Sequence, residues 1–136
     1  MKKLNNKGFT LIEIVIVIVI IAILAAMLVP SLTAWIDKAN KKTFLSAANE
    51  IKMATTSYIT ENYDKTYATQ TDITDTEWTA IGELANATVS AGTPSAGNYQ
   101  VAFTATGNKI TSFTVTNTKY TVEFDGTDWD DVESVS

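Results

Sequence analysis

Neither cysteine nor histidine occurs in this chain of 136 residues, and its ten basic side chains are all lysines. Without cysteine there is no disulfide staple and no thiolate metal site. Losing histidine as well removes the Ser–His–Asp and Cys–His nucleophile systems and almost every zinc site. Arginine is missing too, and the formal net charge is −5. Phosphate recognition leans on Lys/Arg neutralisation, so nucleic acid fits poorly as a partner. No nucleophile–base pair is visible, and the chain does not read as an enzyme. Its length leaves room for one modest domain.

The charge is unevenly placed. Lys2, Lys3 and Lys7 precede a long apolar run with no acidic residue among them. Removing residues 1–8 leaves seven lysines against fifteen carboxylates, a formal net charge of −8. From Ile14 to Val29 every residue is apolar, and no charge occurs between Ile14 and Ile36. Extended back to Phe9, with only Thr10 and Glu13 interrupting, the run is long enough as a helix to span roughly 30 Å, a bilayer core. A secretory signal peptide is the competing reading, with Ala22, Ala25 and Ala26 as its small-residue cleavage site. The run is too long for that, and Glu13 would be unexplained. The β-branched stretch Val15–Ile21 would read as a strand in water. In a membrane the backbone must satisfy its own hydrogen bonds, which makes it a helix. Lysines before the run place the N-terminus in the cytoplasm and the chain beyond Pro30 outside.

Lys7-Gly8-Phe9-Thr10-Leu11-Ile12-Glu13, followed by an apolar run to Pro30, resembles the class III leader and N-terminal helix of type IV pilins and pseudopilins. The resemblance covers about residues 1–60. It implies cleavage after Gly8 by a membrane prepilin peptidase, which also methylates the new amine of Phe9. It implies that Glu13 and Pro30 occupy the family's assembly positions, and that Glu13 pairs with the Phe9 amine of an adjacent subunit. Such a charge pair in apolar surroundings sets register more than it adds stability. Where the family commonly carries a helix-loosening glycine, this chain has Ala22, which favours helix by roughly 0.8–1 kcal/mol. A kink is expected near Ala26, because Pro30 removes a hydrogen bond and crowds the turn before it. Ala22 and Ala26 form a small-xxx-small pair suited to close helix contact, or are ordinary lipid-facing alanines.

The implied fold is α+β and pilin-like: a long N-terminal helix, its lower half transmembrane, packed on a small antiparallel sheet. Five segments are expected. Residues 1–8 are the leader, 9–30 the membrane and assembly helix, and 31–62 the amphipathic half of the same helix. Phe44, Ala47, Ile51, Ala54 and Tyr58 mark that half's buried face. Lys38, Lys41 and Lys42 form a solvated cluster, or meet lipid headgroups before assembly and a neighbour's acids afterwards. Residues 63–98 are a polar connector. Within it Thr74-Asp75-Thr76-Glu77 reads as a capping box opening a helix to Ala85, with Trp78, Ile81 and Leu84 on its inner face. Residues 91–97 form a loop. Residues 99–136 hold a three-stranded meander with Tyr99, Val101, Phe103, Ala105, then Thr111, Phe113, Val115, then Tyr120, Val122, Phe124 on one face.

The meander ends in an acidic tail. Asp125, Asp128, Asp130 and Asp131 are calcium candidates by density of oxygen ligands, but their spacing is not that of an EF-hand loop. A solvated tail anchored by Trp129 is preferred, and no cofactor is otherwise implied. Asn86-Ala87-Thr88 fits a glycosylation sequon, a three-residue match common by chance.

The leading expectation is a structural subunit of a type IV pilus used in adhesion, aggregation or motility. The alternatives are a pseudopilin of a type II secretion or DNA-uptake system, or a membrane-anchored surface domain that does not polymerise. Implied partners are the prepilin peptidase/methyltransferase, an inner-membrane assembly platform, membrane lipid, and other copies in a helical filament. The precursor would lie in the cytoplasmic membrane and the processed subunit in a surface pilus.

Overall fold

The computed structural model describes residues 8–93 and 97–135. Helix α1 runs from Leu11 to Glu61, and the chain divides between Ala39 and Asn40 into two compact units. In the first unit the described apolar side chains of the helix are exposed. Its large apolar side chains from Phe9 to Ile36 are between 46 and 87 % exposed. Pro30 lies inside α1 without ending it, and Thr33 Oγ1 donates to the Pro30 carbonyl at 2.9 Å. The helix is thus continuous through Ala22, Ala26 and Pro30.

In the second unit the later part of α1 buries Phe44, Ala48, Ile51, Ala54, Thr55 and Ile59. The inner face is turned slightly from the expected one: Ala47 and Tyr58 lie half-buried at its margins. Thr55 is tolerated in the core because its Oγ1 donates to the Ile51 carbonyl at 2.8 Å. Opposite lies a sheet of five strands in the order β1 (Thr88–Ser90), β2 (Asn98–Thr106), β3 (Lys109–Thr116), β4 (Tyr120–Phe124) and β5 (Glu133–Ser134).

The sheet is mixed rather than antiparallel, since β1 pairs with β2 in parallel. A strand this short spans only about 10 Å, so a brief return suffices for parallel pairing. The expected three-stranded meander is β2–β3–β4, with β1 and β5 added at its edges. Thr111 does not join the inner face. Thr104 pairs with Ser112 and Ala105 with Ile110, leaving Thr111 as the extra residue of a β-bulge. The bulge switches the alternation, so Ile110 is buried instead, with Phe113 and Val115. Gly126 packs over this point at φ +96°, where an added Cβ would come within 2.6 Å of the Thr111 carbonyl oxygen.

Helix α2 (Asp75–Ala85) is capped by Thr74, whose hydroxyl accepts from the Glu77 amide while the Glu77 carboxylate accepts from the Thr74 amide. Trp78, Ile81 and Ala85 point inward, whereas Leu84 is 61 % exposed. Six residues after Trp78, Leu84 is rotated about 120° off the Trp78 face. The acidic loop after β4 is held by Trp129, which meets Phe113 edge-on and Phe124 at a tilt. Its indole N–H donates to Asn49 Oδ1 of α1 at 2.7 Å, and Lys52 Nζ stands 3.3 Å above the Phe124 ring.

The connector is tied down by Glu77. Its Oε1 accepts from Lys65 Nζ at 2.9 Å and Tyr67 OH at 3.0 Å, while Oε2 accepts from the Thr74 amide and hydroxyl, both at 2.8 Å. The Thr74 amide, then Lys65, hold the Glu77 carboxyl down at about 2 despite its burial. Burial and that carboxylate push the Tyr67 phenol up to about 12. Because the folded-state value of Glu77 is depressed, its stabilisation is complete above its ordinary 4.5 and fades as pH falls toward about 2. Urea unfolding followed by tryptophan fluorescence should show the midpoint dropping across that window. Glu77→Gln should lower the midpoint at neutral pH and flatten the acid slope; an unchanged slope would remove Glu77 from the account.

Candidate functional site

The site is the N-terminal entry to α1. Gly8, Phe9 and Thr10 precede the helix in irregular backbone and are exposed, and an added Cβ at Gly8 would meet nothing within 4 Å. A peptidase needs an accessible peptide, and the Gly8–Phe9 bond is exposed and lies outside the helix. Helix begins at Leu11, so its first amides lack intrahelical acceptors.

Thr10 and Glu13 satisfy part of that deficit reciprocally. Glu13 Oε2 accepts from the Thr10 amide at 2.7 Å and the Thr10 hydroxyl at 2.6 Å, and the Glu13 amide approaches Thr10 Oγ1 at 3.4 Å. Thr-x-x-Glu before an apolar run is a capping box, and a carboxylate in the first turn also suits the helix dipole. Glu13 thus has a partner inside its own chain, which the resemblance alone does not supply. The pattern was present in Thr10-Leu11-Ile12-Glu13 all along.

Along the helix Ala22 and Ala26 lie one turn apart on exposed surface, and Pro30 follows a turn later. At the other candidate site, Asp125 Oδ1 accepts from the Thr127 and Asp128 amides at 2.8 and 2.9 Å. The Asp128 amide, then that of Thr127, keep the Asp125 carboxyl below its usual range. Asp128 Oδ1 accepts from the Trp129 amide at 2.8 Å, and Asp130 and Asp131 are exposed. Among the described residues no three acidic side chains gather into a group that could hold a metal ion.

The prokaryotic N-terminal methylation motif matches residues 3–29. That motif is the class III leader of type IV prepilins. The match takes in Gly8, Phe9, Glu13, Ala22 and Ala26 and stops just before Pro30. No curated protein and no solved structure matches the chain significantly. The leader, together with one apolar helix long enough to cross a membrane, fits a membrane-anchored precursor of a type IV pilin or pseudopilin. Proteins that carry this motif are processed by a prepilin peptidase and assembled with other pilins.

Thr10→Val should uncap the helix start. In detergent micelles, hydrogen exchange at residues 10–14 should accelerate about fivefold, the scale of a lost N-cap. Exchange in α2 should be unaffected. Equal rates in both proteins would show that the box does not hold in solution.

Proposed function

We propose that the chain is a subunit of a type IV pilus filament, inserted as a precursor, cut after Gly8 and N-methylated at Phe9. The observation that carries this reading is the leader joined to an apolar helix exposed around its whole circumference. Such a surface has no stable place in water. Each aliphatic side chain removed from water gains about 1.5–3 kcal/mol, and both a bilayer and a bundle of neighbouring helices provide that. Cleavage creates a cationic amine close to Glu13. In a filament that amine, from an adjacent subunit, displaces the Thr10 hydrogen bonds and specifies the stagger. Ala22 and Ala26 allow close approach of helices, and Pro30 weakens the ladder where the packed helix has to adapt.

The absence of cysteine is compatible with a small pilin whose head is held by a hydrophobic core. It is similar in that respect to the disulfide-free pilins of some Gram-positive bacteria. A pseudopilin of a secretion or DNA-uptake machine shares the same N-terminal chemistry and is the second reading. The cytoplasmic placement of the leader follows from Lys2, Lys3 and Lys7.

Mass spectrometry of sheared surface filaments should find this chain beginning at N-methyl-Phe9, and antibody to the head should label the shaft. Processed protein without surface filaments would select the pseudopilin, and an intact Met1 start would sink the pilin reading. Glu13→Gln should still be processed yet lower filament yield by at least about tenfold, the loss of a buried charge-pair partner. Normal yield from that variant would remove Glu13 from assembly.

A further inference from the structure

Lys52 stands over Phe124 and Lys65 on Glu77, while the fold brings one more lysine toward the cluster that the sequence displays. Phe44 of α1 packs on Tyr120 with ring centroids 5.7 Å apart and on Tyr99 at 6.1 Å. This aromatic contact brings the β3–β4 turn to the stretch of α1 that carries Lys41 and Lys42. Lys119, the last residue of the turn, sets its Nζ 5.4 Å from the centroid of the Tyr120 ring. The turn is built firmly. Asn117 Oδ1 accepts from the Lys119 and Tyr120 amides at 2.8 and 2.7 Å, and the Lys119 carbonyl accepts from the Val135 amide at 2.9 Å. Lys42 and Lys119 are exposed, and Lys41 is half-buried. Acidic groups lie elsewhere on the sheet. Asp125 and Asp128 follow the far end of β4, and Glu133, across from Thr121, shares the outer face rather than the helix-facing side of Tyr120. On α1, Asp37 precedes the cluster and Glu50 follows it.

We propose that Lys41, Lys42 and Lys119 form one edge of the head that docks on the phosphates of anionic phospholipids while the precursor waits in the membrane. The occupant follows from chain connectivity. Lys41 and Lys42 come directly after the apolar run, which ends in Trp35-Ile36, and Trp35 is 75 % exposed. Tryptophan favours the headgroup layer, and basic residues just beyond a span are attracted to anionic lipid. A bilayer that accepts the run therefore supplies phosphate at this point of the chain. The inference rests on the membrane reading of residues 9–36 and goes beyond it, because it assigns a partner to a turn far away in sequence.

The chain has no cysteine, so Thr118→Cys offers a single labelling point on the exposed turn. The full-length labelled protein is placed in nanodiscs containing lipid with a nitroxide headgroup, in phosphatidylcholine alone or mixed with phosphatidylglycerol. Quenching of a fluorophore at position 118 should rise with phosphatidylglycerol and fall with added salt. The triple change Lys41→Gln, Lys42→Gln and Lys119→Gln should abolish the rise, each lysine accounting for up to about fivefold in occupancy. Lys119→Arg should preserve it. Quenching that is equal in both lipids, or unchanged in the triple variant, overturns the proposal. Loss of filaments in a triple variant with unaltered quenching would also overturn it and assign the edge to a neighbouring copy. Failure to enter nanodiscs at all would instead overturn the membrane reading on which the proposal stands.

Discussion

An apolar helix surface exposed from Phe9 to Ile36 is the constraint on which the rest depends. The run is β-branched enough to aggregate as strand in water. Helix is its stable form where backbone groups must pair internally. The segment therefore needs a hydrocarbon phase or the surfaces of other helices to hold it.

Glu13 shows how a polar group is held at the edge of such a run. Its carboxylate is occupied by the Thr10 amide and hydroxyl, so it is never bare. Those bonds are local and replaceable. A charged amine is a stronger donor to a carboxylate than a hydroxyl is, so in the filament proposed above the amine of a processed neighbour would take their place.

The head solves a separate problem. With no cysteine, its order comes from a core in which α1 supplies Phe44, Ile51 and Ile59 and the sheet supplies Val101, Phe113, Val115 and Val122. Two polar devices fix what that core leaves loose. Glu77 gathers Thr74, Lys65 and Tyr67 and closes the connector, while Trp129 ties the acidic loop to Asn49. Sequence patterns reached some of this well. The capping box at Thr74, the alternation of Tyr99 to Ala105, and the hydrophobic spacing on α1 are local signals, each carried by residues within a turn or two of one another. They failed where the signal was shorter or interrupted. Strand β1 has Val89 as its single buried residue, and the bulge at Thr111 reverses an alternation that looks regular in the sequence.

The sequence by itself determined the apolar helix and the methylation motif that opens it. Those properties depend on composition and on near neighbours, and a helix start or an apolar run carries its physics with it. Tertiary structure alone decided that Lys65 and Tyr67 share the Glu77 carboxylate, that the sheet is mixed, and that Tyr120, beside Lys119, packs on Phe44. Each of those facts depends on which distant segments the core brings together. That choice is made by the packing of Phe44 on Tyr120 and of Trp129 against α1, long-range contacts that no local periodicity encodes.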